Sequence, residues 1–283
     1  MASLILGSKA DYLVHDAFTV ETEDHEDHTF NGVMFDVVAK RERPVAAVVV
    51  DSVWVRGGLG KMTVWHARGG HRSIHEQKEH WTLVFEKQVP PSQRDFVQLK
   101  FAIPAVMRPG ERHALYVHSA DEGDQGVVYD AQREIGAPTH DDDFIRVHAG
   151  LAHISPEPFA GTGPWWGPPW RRPREFVGRI SYGARYVLWE PRSHACFSPA
   201  FQRGAASFFA ALAIGWRGLP SDVVLYIVNM ARWDWFECAG PGKRRLAAPA
   251  RGAATPADAA ERRGLRYESD YARFDAIESD SDA

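Results

Sequence analysis

Two acidic stretches hold the side chains best suited to gripping a hard cation. They are "ETEDHEDH" at 21–28 and "HDDD" at 140–143. Carboxylate oxygens suit calcium, and imidazole extends the set to borderline metals. Neither stretch has the glycine and distal glutamate of an EF-hand loop. If the two loops meet at one end of the fold, Asp24, Asp27, Asp141 and Asp142 form a candidate calcium site. The default reading is a pair of solvated acidic loops, with no cofactor.

Histidines cluster in "HRSIHEQKEH", where His71, His75 and His80 invite a zinc reading. On a helix, five residues at about 100° each set His75 and His80 about 140° apart, so they share no ligand face. The stretch therefore reads as a solvated loop between strands. "GGLGKMT" at 57–63 has the glycines of a phosphate-binding loop, but Lys61 is followed by Met62 and the spacing to the first glycine is wrong. It reads as a plain hairpin turn. There is no Gly-x-Ser-x-Gly elbow, and no nucleophile is paired with a base, so a hydrolase would need a site assembled from distant loops.

"PFAGTGPWWGPPWRRPREF" at 158–176 carries Trp165, Trp166 and Trp170, followed by Arg171, Arg172 and Arg174. Tryptophan and arginine dominate binding hot spots because each offers a large contact area with a polar handle. Its prolines and glycines argue against a regular element. Two readings stand: a partner-binding loop, with Trp165, Trp166, Trp170, Arg171 and Arg172 as contacts to protein or glycan, or a plug over an open end of the fold.

The elements that must position these residues are mostly strands. From Met34 to Tyr182, nine short apolar segments are separated by turn residues such as "GGLG" and "RPGE", with no helical periodicity between them. In "DFVQLKFAI", Val97, Leu99, Phe101 and Ile103 share one face while Gln98 and Lys100 take the other, the period of a half-buried antiparallel strand. Such a run implies a mainly β fold, an antiparallel sandwich or closed barrel joined by hairpins. Ser198 and Pro199 then start a helix with Phe201, Ala205, Phe208 and Leu212 on one face. A second helix begins at Pro220, with Val223, Ile227 and Met230 on one face, extended by Val224 and Val228. The two predict an antiparallel helical hairpin. The division is an N-terminal segment at 1–30, a β-sandwich at 31–185, a helical hairpin at 186–237 and a disordered tail at 238–283, where Ser279 and Ser281 sit among acidic residues as candidate phosphate acceptors.

With 283 residues, 45% of them hydrophobic, the chain can bury a large core. A net charge of −4 argues against nucleic-acid binding driven by bulk electrostatics. Two cysteines, Cys196 and Cys238, with no CxxC pair fit a reducing compartment, cytoplasmic or nuclear. The start "MASLILGSKADYL" lacks the basic residues and apolar run of a signal peptide, and no stretch approaches the roughly 20 apolar residues of a membrane span.

The succession "GVMFDVVAKRERPVAAVVVDSVWV", "KMTVWHA", "HALYVHS", "GVVYD" and "EFVGRISY" resembles the β-sandwich of PHR-type domains, over roughly Gly32 to Tyr182. That resemblance implies a jelly-roll-like sandwich acting in protein recognition beside ubiquitin-ligase parts. "LPSDVVLYIVNM" resembles the start of an F-box, with Leu219, Pro220, Val223, Val224 and Ile227 in the docking positions. It implies a Skp-type adaptor of a cullin ubiquitin ligase as partner. The further helices of that motif do not follow; the chain turns to Ala, Gly and Pro. "LWEPRSHACFSPAFQ" with the hairpin also resembles an end module of algal and protist proteins of unassigned function. A non-enzymatic recognition module is the leading expectation, and a glycan- or calcium-binding sandwich is the alternative.

Overall fold

A computed structural model describes residues 15–121, 123–161, 168–215 and 219–230. The strands are β1 (His15–Glu21), β2 (His28–Phe30), β3 (Gly32–Ala39), β4 (Val45–Gly57), β5 (Gly60–Arg68), β6 (Thr82–Val89) and β7 (Ser92–Met107). They continue with β8 (Arg112–Ser119), β9 (Val127–Ala131), β10 (Pro138–Asp141), β11 (Ile145–His153), β12 (Trp170–Phe176) and β13 (Arg179–Tyr186). Two helices follow, α1 (Pro199–Gly215) and α2 (Ser221–Met230). Every strand pairing is antiparallel among the described residues. One sheet has four strands in the order β1-β13-β4-β7; the other has nine, β2-β9-β12-β11-β3-β8-β5-β6, with β10 beside β11.

The fold is the predicted mainly β sandwich. Alternation places Val48, Val50, Val53 and Val55 of β4 and Leu99 of β7 opposite Val33, Phe35 and Val37 of β3 and Leu115 and Val117 of β8, all in one buried cluster. Phe35 stacks on Phe176 with ring centroids 4.2 Å apart. β1 and β2 belong to the sandwich, although residues before 31 read as a separate segment; their short, partly polar sequences give little period-2 signal.

Three other expectations are corrected. "GGLG" and "RPGE" do not close hairpins: β4 and β7 lie in the four-stranded sheet and β5 and β8 in the nine-stranded one, so both turns cross the sandwich. Gly57 and Gly60 take positive φ (139° and 75°) at the first crossing, while buried Leu59 bonds through its N–H to Gly126 O at 2.9 Å. Ile103 does not face the core but is 61% exposed. Lys100 pairs with Ser52 and Ala105 with Val50, so the intervening residues of β7 bulge out. Trp170–Phe176 is a strand in spite of its proline, because Pro173 sits where the pairing of β11 with β12 is broken by a register shift.

β3 is buried on both faces. Met34 looks outward and joins Ala67, Trp81, Ala114, Tyr116, Leu151, Phe159 and Trp170 in a second apolar cluster on the outer face of the nine-stranded sheet. Gly150 of β11 lies so close to β3 that an added Cβ would collide with the Met34 carbonyl oxygen. Gly150→Ala is expected to lower stability by about 1–3 kcal/mol, the usual cost of overpacking. A chemical denaturation midpoint equal to that of the parent protein would refute it.

Ser198 caps α1 as its position predicts, its Oγ accepting from Phe201 N–H at 3.3 Å. Phe201 and Ala205 of α1 and Val228 of α2 are buried in the main core cluster, with Phe208, Phe209 and Leu225 packed against it.

Candidate interaction surfaces

α2 is held on the sandwich by a polar clamp. Asn229 Oδ1 accepts from Trp189 N–H at 2.7 Å, and Nδ2 donates to Trp189 O at 3.0 Å. Trp189 is itself buried and packs on Phe209, with centroids 5.3 Å apart. With Val228 buried and Leu225 against the core, the rotation of the helix is set. The opposite face carries Val223, Tyr226 and Met230, exposed by 38%, 67% and 64%. Their spacing of three and four residues forms one outward stripe. Of the predicted docking residues, Pro220 and Val223 are exposed, whereas Leu219, Val224 and Ile227 are half-buried at its flanks. Val228 belongs to the inward face, not to an extension of the outward one. Tyr226 is the residue missed from sequence; Asn229, a polar residue in an apolar helix, was the available signal for the inward side.

The tryptophan-rich stretch divides. Trp165 and Trp166 lie outside the described residues. Trp170 is 8% exposed, its ring 4.1 Å from that of His153 and 5.5 Å from that of His75. It is thus buried in the outer-face cluster, on a strand and not over an open end of the sandwich, and is corrected as a partner contact. Arg171 Nη1 donates to Pro168 O at 2.6 Å, and exposed Arg172 reaches His75 with Nη2 3.5 Å from Nε2.

Residues 71–81 are the expected, mostly exposed loop between β5 and β6, but buried His71 and Trp81 pin its two ends. They form two short 3-10 turns, His71–Ser73 and Lys78–His80, that bring Trp81 onto the outer face. Asp36, 1% exposed on β3, anchors them: its Oδ1 accepts from both His71 N–H and His71 Nδ1 at 2.9 Å, and its Oδ2 accepts from Arg112 at 3.0 Å. Burial raises the Asp36 carboxyl, but the bonds and charge of His71, with Arg112, outweigh it and hold the group below its ordinary range.

Beside Trp170, Tyr116 Oη donates to His153 Nδ1 at 2.8 Å, and His153 Nε2 donates to Ala160 O at 3.2 Å. This pattern needs a neutral imidazole, and burial takes His153 down to about 4. His118 Nε2 donates to Ser155 O at 2.9 Å, while its Nδ1 is buried without a partner. Burial takes this histidine to about 3.

The acidic loops do not meet. Asp24 and Asp27 both grip Arg56, near the end of β4. Asp141 pairs with Lys40 and Arg146, near the start of β4, where Lys40 N–H bonds to Phe144 O. About ten residues of strand, at roughly 3.3 Å each, separate the two networks. Asp142 is turned inward, accepting from Phe144 N–H at 2.7 Å, Ile145 N–H at 2.8 Å and Tyr182 Oη at 2.8 Å. The shared calcium site is corrected accordingly: these carboxylates already have cations or backbone donors. Among the described residues no group of three or more His, Cys, Asp or Glu is placed to hold a metal ion.

Cys196 is an exposed free thiol, and Cys238 lies outside the described residues, as does the tail at 238–283 with Ser279 and Ser281. No helix among the described residues is long and apolar enough to cross a membrane.

No family model matches the chain, and no curated protein matches it. Among solved structures, a chain from "Structure of infectious bursal disease virus Gx strain" is similar at 10% sequence identity and a TM-score of 0.22. The match covers 76% of this chain and 52% of the viral one, so the chain spans about half the length of that neighbour. A likeness at that level carries no argument about fold or function.

Proposed function

We propose that this protein is a non-enzymatic protein-recognition module that presents α2 to a Skp-type adaptor of a cullin ubiquitin ligase, in the manner of a substrate adaptor. One observation carries the reading. α2 is clamped to the sandwich by Asn229 and Val228, while Val223, Tyr226 and Met230 stay exposed on its outward face. A rigid helix with an uncovered apolar stripe suits docking, because little ordering entropy is lost on binding and apolar area is removed from water. The Leu219-Pro220 start of the helix supports the choice of partner. PHR-like recognition of a client by the sandwich belongs to the same reading.

The test is direct binding of the full chain to a purified Skp-type subunit by calorimetry. A saturable complex is expected, weakened at least tenfold by Tyr226→Asp and by Met230→Asp, whose exposure leaves the fold unaffected. If no complex forms, or both variants bind as well as the parent, the adaptor assignment is wrong.

A further inference from the structure

An open cleft of ≈ 530 Å³ lies where β5 and β6 of one sheet meet β7 of the other. One wall is apolar: the bulge in β7 projects Ile103 and Pro104 into it beside Val106, and Ile74 faces them from the cap. Ile103 and Val106 are 61% and 45% exposed, a side-by-side apolar pair on an edge strand. Arg68 lines the other wall, exposed and with no ion pair within 4 Å among the described residues, though its charge reaches Glu111 and His113.

Next to Arg68, the lining residue His66 has its proton placed by a relay. Its Nε2 is 2.8 Å from His113 Nδ1, and His113 Nε2 is 3.5 Å from Glu111 Oε2. The Glu111 carboxylate favours the tautomer of His113 with its proton on Nε2, and Nδ1 is then the acceptor. His66 then donates from Nε2, which leaves its Nδ1 as a lone pair. Burial and the neighbouring His113 keep His66 neutral, lowered to about 4. Among the described residues no hydrogen bond is made to that atom, and it is not fully buried.

The cleft thus offers an exposed guanidinium, an imidazole acceptor and an apolar wall together. The ligand that matches all three carries a carboxylate, an adjacent N–H and an aliphatic side chain. We infer that the cleft binds the C-terminus of a partner polypeptide ending in an aliphatic residue. The terminal carboxylate pairs with Arg68, the last amide N–H donates to His66 Nδ1, and the last side chain lies on Ile103 and Val106. This names the client surface of the recognition reading and rests on it, but it is separate from the α2 face.

The experiment is fluorescence polarisation of the full chain with a pool of fluorescein-labelled peptides ending in Leu, Ile or Val, each as free acid and as amide. Saturable binding of the acids is expected. Amidation, Arg68→Gln and Ile103→Asp should each weaken it at least tenfold, and Tyr226→Asp should leave it unchanged. Arg68 and Ile103 are exposed, so an unchanged circular dichroism spectrum and denaturation midpoint will exclude misfolding. Absence of saturable binding across the pool, or equal binding of acid and amide, overturns the inference. Loss of adaptor binding alone would leave it standing, and failure of the peptides would leave the α2 assignment standing.

Discussion

Asp36→Ala is expected to lower stability by about 3–5 kcal/mol, the usual cost of removing one partner from a buried charged network. Asp36 is 1% exposed and ties residues 71–81 to β3: it accepts two bonds from His71, with Arg112 completing the carboxylate. Alanine would leave the His71 N–H and Nδ1 buried against apolar surface, and desolvated donors without acceptors are costly. The cap carries Trp81, whose Nε1 donates to Ile74 O at 2.9 Å. Local release of the cap would therefore redden tryptophan emission and raise amide exchange across 71–81 before global unfolding. Urea denaturation followed by fluorescence measures the total, and a loss below about 1 kcal/mol would show that the cap is held by its apolar contacts alone.

A second large effect should appear on acidification. His118, His153 and His66 are held by burial at about 3, 4 and 4, against 6.5 in an unfolded chain. Between pH 6.5 and about 4 the unfolded chain binds protons at these sites that the folded chain does not. Stability thus rises with pH across this window and is lost as pH falls through it. A pKa lowered by about 2 corresponds to roughly 3 kcal/mol, so the group together rivals the roughly 5–15 kcal/mol that holds a typical domain. The contribution of Asp36, whose carboxyl is depressed, is lost only at lower pH, as it falls below its ordinary 3.8. Denaturation series at steps between pH 7.5 and 4.5 should give a slope approaching about two to three protons. His118→Phe should reduce that slope by about one. A flat profile would mean that these imidazoles are free to charge in the folded state.

Much of the fold is legible in local pattern. Val97, Leu99 and Phe101 alternate with polar residues because one face of β7 meets the core and the other meets water, and the helix at Ser198-Pro199 is capped by a hydroxyl in the predicted place. The outer-face cap is less legible. In "HRSIHEQKEH" the burial of His71 has no local signal, because it depends on Asp36, thirty-five residues earlier, and on Arg112, which β8 brings alongside. Trp170 reads equally well as a hot spot or a plug until His153 and His75 are seen to flank it. The cleft has no sequence signature at all: its walls come from β5, the cap, β6 and β7, and Ile103 reaches it only because a bulge breaks its pairing with β4.

What the sequence determined alone was therefore what depends on neighbours within a few residues: strand alternation, the helix start at Ser198, the mainly β class and the amphipathic helix after Pro220. Tertiary structure decided which turns cross between sheets, which face of α2 is clamped, and that Asp24 and Asp141 lie at opposite ends of β4. The reason is that hydrogen-bond period and capping are local, whereas sheet membership, burial of charge and the partner of each carboxylate are set by segments far apart in the chain.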